Sequence, residues 1–78
     1  MNMTQNLTKE QEILILDAIE KLTPIYEKAV YRKIRQYEID LLWYTYSGCF
    51  MPNRGGEKEM NEILNSNIKY WSNYTPKK

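Results

Sequence analysis

The residues best placed to do chemistry in this chain are cations. Lys28, Arg32 and Arg35 follow one another at steps of four and three, with Lys33 beside them and Tyr31 and Tyr37 interleaved. On a helix that spacing puts three like charges on one face, which is slightly unfavourable and differs from the alternating signs of a plain solubility face. Such a face suits an anionic visitor, either an acidic protein surface or a few phosphates. Glu27 and Glu38 are close enough in sequence to neutralise it within the fold, which is the structural alternative. A second candidate is Asn53-Arg54-Gly55-Gly56, where a guanidinium and free backbone amides ahead of a helix could cradle an anion. Glutamates at 57, 59 and 62 follow directly and would repel a phosphate, so a simple turn is the competing reading. The third candidate is aromatic: among seven Tyr and two Trp, Tyr70 and Tyr74 suit a recognition surface, whereas Trp71 belongs to a core.

Catalytic chemistry has little to work with. The chain has no histidine, which removes the commonest general base and metal ligand and every His-dependent triad. Cys49 has no basic neighbour in sequence to activate it. The carboxylates are scattered singly among lysines, and no P-loop, dinucleotide fingerprint or zinc spacing occurs. The expectation is a non-enzyme with no cofactor and no metal.

The elements that must position these residues are helical. Thr8 and Gln11 are spaced as a capping box, and Ile13, Ile15, Leu16, Ala18, Ile19 and Leu22 form an amphipathic stripe, so a first helix is expected over 8–22. Thr23-Pro24 reads as the start of a second, which runs uninterrupted by Gly or Pro to about 46. Val30, Ile34, Tyr37, Leu41 and Tyr44 give it a heptad seam. Ile39, Leu42, Trp43 and Tyr46 lie off that seam and are candidates for an interface with another chain. After Ser47-Gly48 and a loop, a third helix is expected over 57–73 with Met60, Leu64, Ile68 and Trp71 on one stripe. The predicted fold is therefore all-α, a small three-helix bundle with a long central helix, associating into a dimer or higher oligomer if its surplus apolar surface needs cover.

Seventy-eight residues are enough for one domain only, with ends expected to be flexible at 1–7 and 75–78. Composition is ordinary for a globular chain, at 42% apolar and 27% charged, and a net charge of +1 provides no global attraction to nucleic acid or to an anionic membrane. The longest apolar runs are too short to cross a bilayer, Met1 to Gln11 lacks the apolar core of a secretory signal, and a lone cysteine suits a reducing compartment; the expected location is the cytoplasm.

Abundant Ile, Lys, Asn and Tyr with scarce Ala and Gly reflect the usage that AT-rich coding produces in many bacteria, phages and mobile elements. In size, mixed charge and aromatic content the chain looks like the small inhibitors and adaptors such elements encode, including those aimed at host defence. The leading expectation is thus a protein-binding inhibitor or adaptor that occludes an acidic surface of a larger host protein through Lys28, Tyr31, Arg32, Arg35, Arg54, Tyr70 and Tyr74. A nucleic-acid or nucleotide binder using the same cations and tyrosines is the alternative, and a structural helical oligomer the third.

Overall fold

A computed structural model describes residues 7–75, so the ends expected to be flexible fall outside it apart from Leu7 and Thr75. Among the described residues the fold is all-α, with three helices and no strand: α1 (Lys9–Val30), α2 (Gln36–Gly48) and α3 (Glu57–Ser72).

The capping box forms as expected: Gln11 N–H donates to Thr8 Oγ1 and Thr8 N–H to Gln11 Oε1, each at 3.0 Å. The helix does not stop at Leu22, however, and Pro24 lies inside it. A mid-helix proline costs roughly 3 kcal/mol because it removes one amide donor and crowds the carbonyl four residues back. Pro24 sits on the exposed side, where water can reach that carbonyl, and the Thr23 hydroxyl donates to Ile19 O at 2.7 Å. Continuing the helix keeps Ile15, Ala18, Ile19, Leu22 and Ala29 buried along one stripe and carries Tyr26 against Trp71, with ring centroids 4.7 Å apart. Packing outweighs the proline.

The long central helix expected over 24–46 is not there. The backbone turns between Val30 and Gln36, so the longest helix is the first, at roughly 33 Å against about 20 Å for α2. Tyr31 closes α1 in the left-handed conformation (φ 61°), which costs a residue other than glycine roughly 1–2 kcal/mol. A straight rod would carry Ile39, Leu42, Trp43 and Tyr46 far beyond α1. Folding back returns them to the core, where Tyr46 is fully buried and the other three pack around Ile15, Ala18, Ile19 and Leu22. Full burial of one large side chain is worth about 1.5–3 kcal/mol, so one fully and three partly buried side chains together outweigh one strained residue.

The return also exchanges the two faces of the second helix. The off-seam set, expected at an interface between chains, forms the inner face, and the heptad seam points to solvent: Tyr37, Leu41 and Tyr44 are 56%, 60% and 68% exposed.

α3 follows its predicted stripe, with Met60 and Leu64 buried and Ile68 and Trp71 packed against the core. Gly56 caps its start at φ 67°, ψ −142°, a region open in practice only to glycine, while donating to Cys49 O at 2.7 Å. Tyr26 on α1 meets both Glu38 near the start of α2 and Trp71 near the end of α3, so the helices run up, down and up. α1 packs against both others, whereas α2 and α3 touch each other sparsely, one link being the 2.8 Å hydrogen bond from Asn67 Nδ2 to the buried Tyr46 hydroxyl.

This division of faces predicts a contrast in urea unfolding. Leu22→Ala should lose about 2–5 kcal/mol by leaving a cavity, whereas Leu41→Ala, on the opposite side of α2, should change stability by under about 0.5 kcal/mol.

Candidate binding surface

The turn between α1 and α2 is organised by two carboxylates. Glu27 Oε2 accepts the Ile34 amide at 2.8 Å. Glu38 accepts four hydrogen bonds: from the Tyr26 hydroxyl, from Arg32 Nη1 and Nη2 at 3.0 and 2.8 Å, and from the Arg35 amide at 2.8 Å. The last of these caps α2, since Glu38 is the third residue of the helix and Arg35 precedes it. These donors, Arg32 first and Tyr26 second, hold the Glu38 carboxyl far below the usual carboxylate range and outweigh its partial desolvation. In return the Arg32 guanidinium is held further above its already high value, chiefly by Glu38. The Tyr26 hydroxyl is pushed up by burial and then by the carboxylate.

The cationic stripe is therefore dismantled. Lys28 remains on α1, Arg32 is committed to Glu38 in the turn, and Arg35 stands at the mouth of α2. The alternative weighed for the sequence, neutralisation within the fold by Glu38, applies to Arg32.

The second candidate closes in the same manner. Arg54 donates through Nε to Glu59 Oε2 at 3.0 Å and through Nη2 to the same carboxylate, whose Oε1 accepts the Gly55 amide at 2.7 Å. The anion in that cradle is the chain's own Glu59, held below its usual range first by Arg54 and then by the Gly55 amide. Arg54 also lies at the opposite end of the bundle from Lys28 and Arg35, so the structure does not bring it to them.

Of the predicted set, Lys28, Tyr31 and Tyr74 do come together. With Ile25, Ala29 and Trp71 they line a hollow of about 300 Å3 where α1 and α3 end. Tyr70 lies beside it, edge-on to Trp71 at 4.8 Å. Among the described residues Lys28, Lys33, Arg35 and Lys69 form no ion pair. Lys28 and Lys69 each occupy the last turn of a helix, where a cation complements the negative end of the dipole.

A further feature lies outside the sequence expectations. Because α2 and α3 stand apart, an open groove of about 310 Å3 runs between them over α1. Leu22, Ile34, Leu41, Leu42 and Trp71 make it apolar, and Tyr26, Glu38, Thr45 and Asn67 add a few polar atoms. Its α2 wall continues onto the exposed Tyr37, Leu41 and Tyr44. The signal available in the sequence was Leu41-Leu42-Trp43-Tyr44, apolar on two sides of a helix, together with the absence of any charged residue from Leu41 to Asn53.

Cys49 is buried, and burial pushes its thiol up, away from the reactive thiolate. No cluster of carboxylates and Cys that could hold a metal ion occurs among the described residues, and no helix among them is long and apolar enough to cross a membrane. No protein-family model, curated protein or solved structure matches the chain.

The Glu38 network predicts an acid-sensitive contribution to stability. A carboxylate whose pKa is depressed by folding stabilises the native state fully above its unfolded value, near about 4.3, and loses that contribution as pH falls toward the folded value. Glu38→Gln should therefore be less stable than wild type at pH 7 and the difference should shrink by pH 3. Urea midpoints at both values test this, and an equal difference at both would contradict it.

Proposed function

We propose that this chain is a small non-enzymatic binding protein, an inhibitor or adaptor, that holds an amphipathic helix of a larger protein in the groove between α2 and α3. The observation that supports the reading is the outward face of α2. A helix with apolar residues on both sides is ordinarily covered on both, and Tyr37, Leu41 and Tyr44 stand uncovered beside an apolar groove. Helix-in-groove recognition needs such a channel with anchors at helical spacing, and tyrosine with leucine provides contact area with a polar rim.

The chemistry of the guest follows from the cations. Lys33 and Arg35 form no ion pair among the described residues and stand on either side, in sequence, of Ile34, which lines one end of the groove. The guest helix carries an apolar stripe and places carboxylates over that end. This keeps the acidic partner expected from the sequence and moves its docking site from a cationic stripe to an apolar groove with a cationic rim. The rim acts mainly on association rate and salt dependence, the groove on affinity.

A second reading, an anion or single-stranded nucleic-acid site at the end of the bundle, is favoured by one observation: Lys28, Lys33, Arg35 and Lys69 are unpaired among the described residues near exposed Tyr31, Tyr70 and Tyr74. Two helix C-termini at that end oppose an anion, and the one N-terminus there, that of α2, is already occupied by the Glu38 carboxylate.

A photoreactive phenylalanine analogue at Tyr44, compared with one at Glu12, separates the readings in a bacterial lysate. The groove reading predicts a discrete protein adduct at position 44 alone, abolished by Leu41→Lys and reduced several-fold by Lys33→Glu with Arg35→Glu. Equal labelling at both positions, or an adduct that nuclease removes, would sink it.

A further inference from the structure

The turn between α1 and α2 contains neither glycine nor proline, and its sequence suits a helix. Tyr31-Arg32-Lys33-Ile34-Arg35 continues the heptad seam from Val30 to Tyr44 without a break. The chain nevertheless bends here by placing a tyrosine in the left-handed region (φ 61°), with its ring 82% exposed and so gaining little burial from the position. Bulky aromatic residues rarely close a helix in this way; glycine does. Local preference and tertiary packing therefore disagree at this one segment, and Glu27 and Glu38 hold the bent form against the straight one.

We propose that the segment 31–35 is a hinge through which two copies of the chain exchange α2 together with α3. In the exchanged form α1, the hinge and α2 become one helix from Lys9 to Gly48, and α2 and α3 of each chain pack on α1 of the other, because the loop 49–56 keeps the start of α3 at the end of α2. The interface needs no new complementarity: it is the existing packing of Ile39, Leu42, Trp43 and Tyr46 on Ile15, Ala18, Ile19 and Leu22, made between chains. Two further terms favour it. The left-handed strain at Tyr31 disappears, and Val30, Ile34 and Tyr37, half-buried or exposed in the bent form, meet at the point where the two long helices cross. Opposing it are the entropy of association and loss of the closed turn around Glu38. Short hinges under strain are the ordinary route to such exchange. The occupant of the exchanged surface is a second copy of this chain, whatever fills the groove of the bent form, so this proposal and the guest helix stand or fall separately.

Light scattering after refolding from denaturant at high protein concentration tests it, read on three variants at Tyr31 and one at Glu38. Tyr31→Gly and Tyr31→Asn tolerate the left-handed conformation and disfavour the straight helix, so each should lower the dimer fraction, with about a tenfold change in the equilibrium per hinge for glycine. Tyr31→Ala retains the strain, favours the helix and removes the ring, and should raise it. Glu38→Ala, which frees the turn, should also raise it. The dimer should show more helix by circular dichroism than the monomer, because the hinge residues join it. One-chain mass for wild type, Tyr31→Ala and Glu38→Ala alike would overturn the proposal. So would a dimer that Tyr31→Gly and Tyr31→Ala affect equally, since that pattern marks a surface contact through the ring.

Discussion

The bent form of this protein depends on the carboxylate of Glu38. Ending one helix and starting another within five residues leaves backbone donors that no helix satisfies, here the part-buried Ile34 amide and the exposed Arg35 amide. Glu38 takes the Arg35 amide and fixes the side chains of Tyr26 and Arg32 around itself, while Glu27 takes the Ile34 amide. The turn is thus held by side chains already needed for solubility rather than by a dedicated glycine. Once it is held, α2 must run back along α1, and the identity of the buried and exposed faces follows.

Two acids dispose of the two most conspicuous anion sites in the same manner. Arg32 is answered by Glu38 across the turn and Arg54 by Glu59 across the start of α3. In each case one carboxylate accepts both an arginine and a free amide close to the start of a helix. That is a local capping device, and it removes from the surface the groups that looked most like ligand-binding chemistry. What remains available is apolar and aromatic, with unpaired lysines and Arg35 at its edge.

The elements legible in the sequence are those where local and tertiary preferences agree. The Thr8 and Gln11 box, the start of α3 and the stripe from Met60 to Trp71 all appear as read. At the junctions local and tertiary preferences conflict, in opposite senses. Pro24 is a strong local breaker overridden by the stripe from Ile15 to Ala29, and Tyr31 is no breaker at all, overridden by the need of Trp43 and Tyr46 for a core. The junction between the first two helices lies at 31–35 rather than at 23–24, and that shift reverses which face of the second helix is buried. Side chains picked for their position off a heptad became the core, and the heptad itself became the candidate binding face. Of the predicted contact residues, Lys28, Tyr31 and Tyr74 line one hollow and Tyr70 joins Tyr74 at a second, because α1 and α3 end side by side rather than belonging to a single rod.

Trp71 occupies a position no other side chain shares among these surfaces. Its indole forms part of the wall of the groove on one side and of the hollow holding Lys28 and Tyr74 on the other, and it touches the rings of Tyr26, Tyr70 and Tyr74. Two hollows that share one wall are thermodynamically linked wherever an occupant of either shifts that wall. A molecule that fixes the indole from one side alters the affinity of the other for its own occupant, and the effect is reciprocal by necessity.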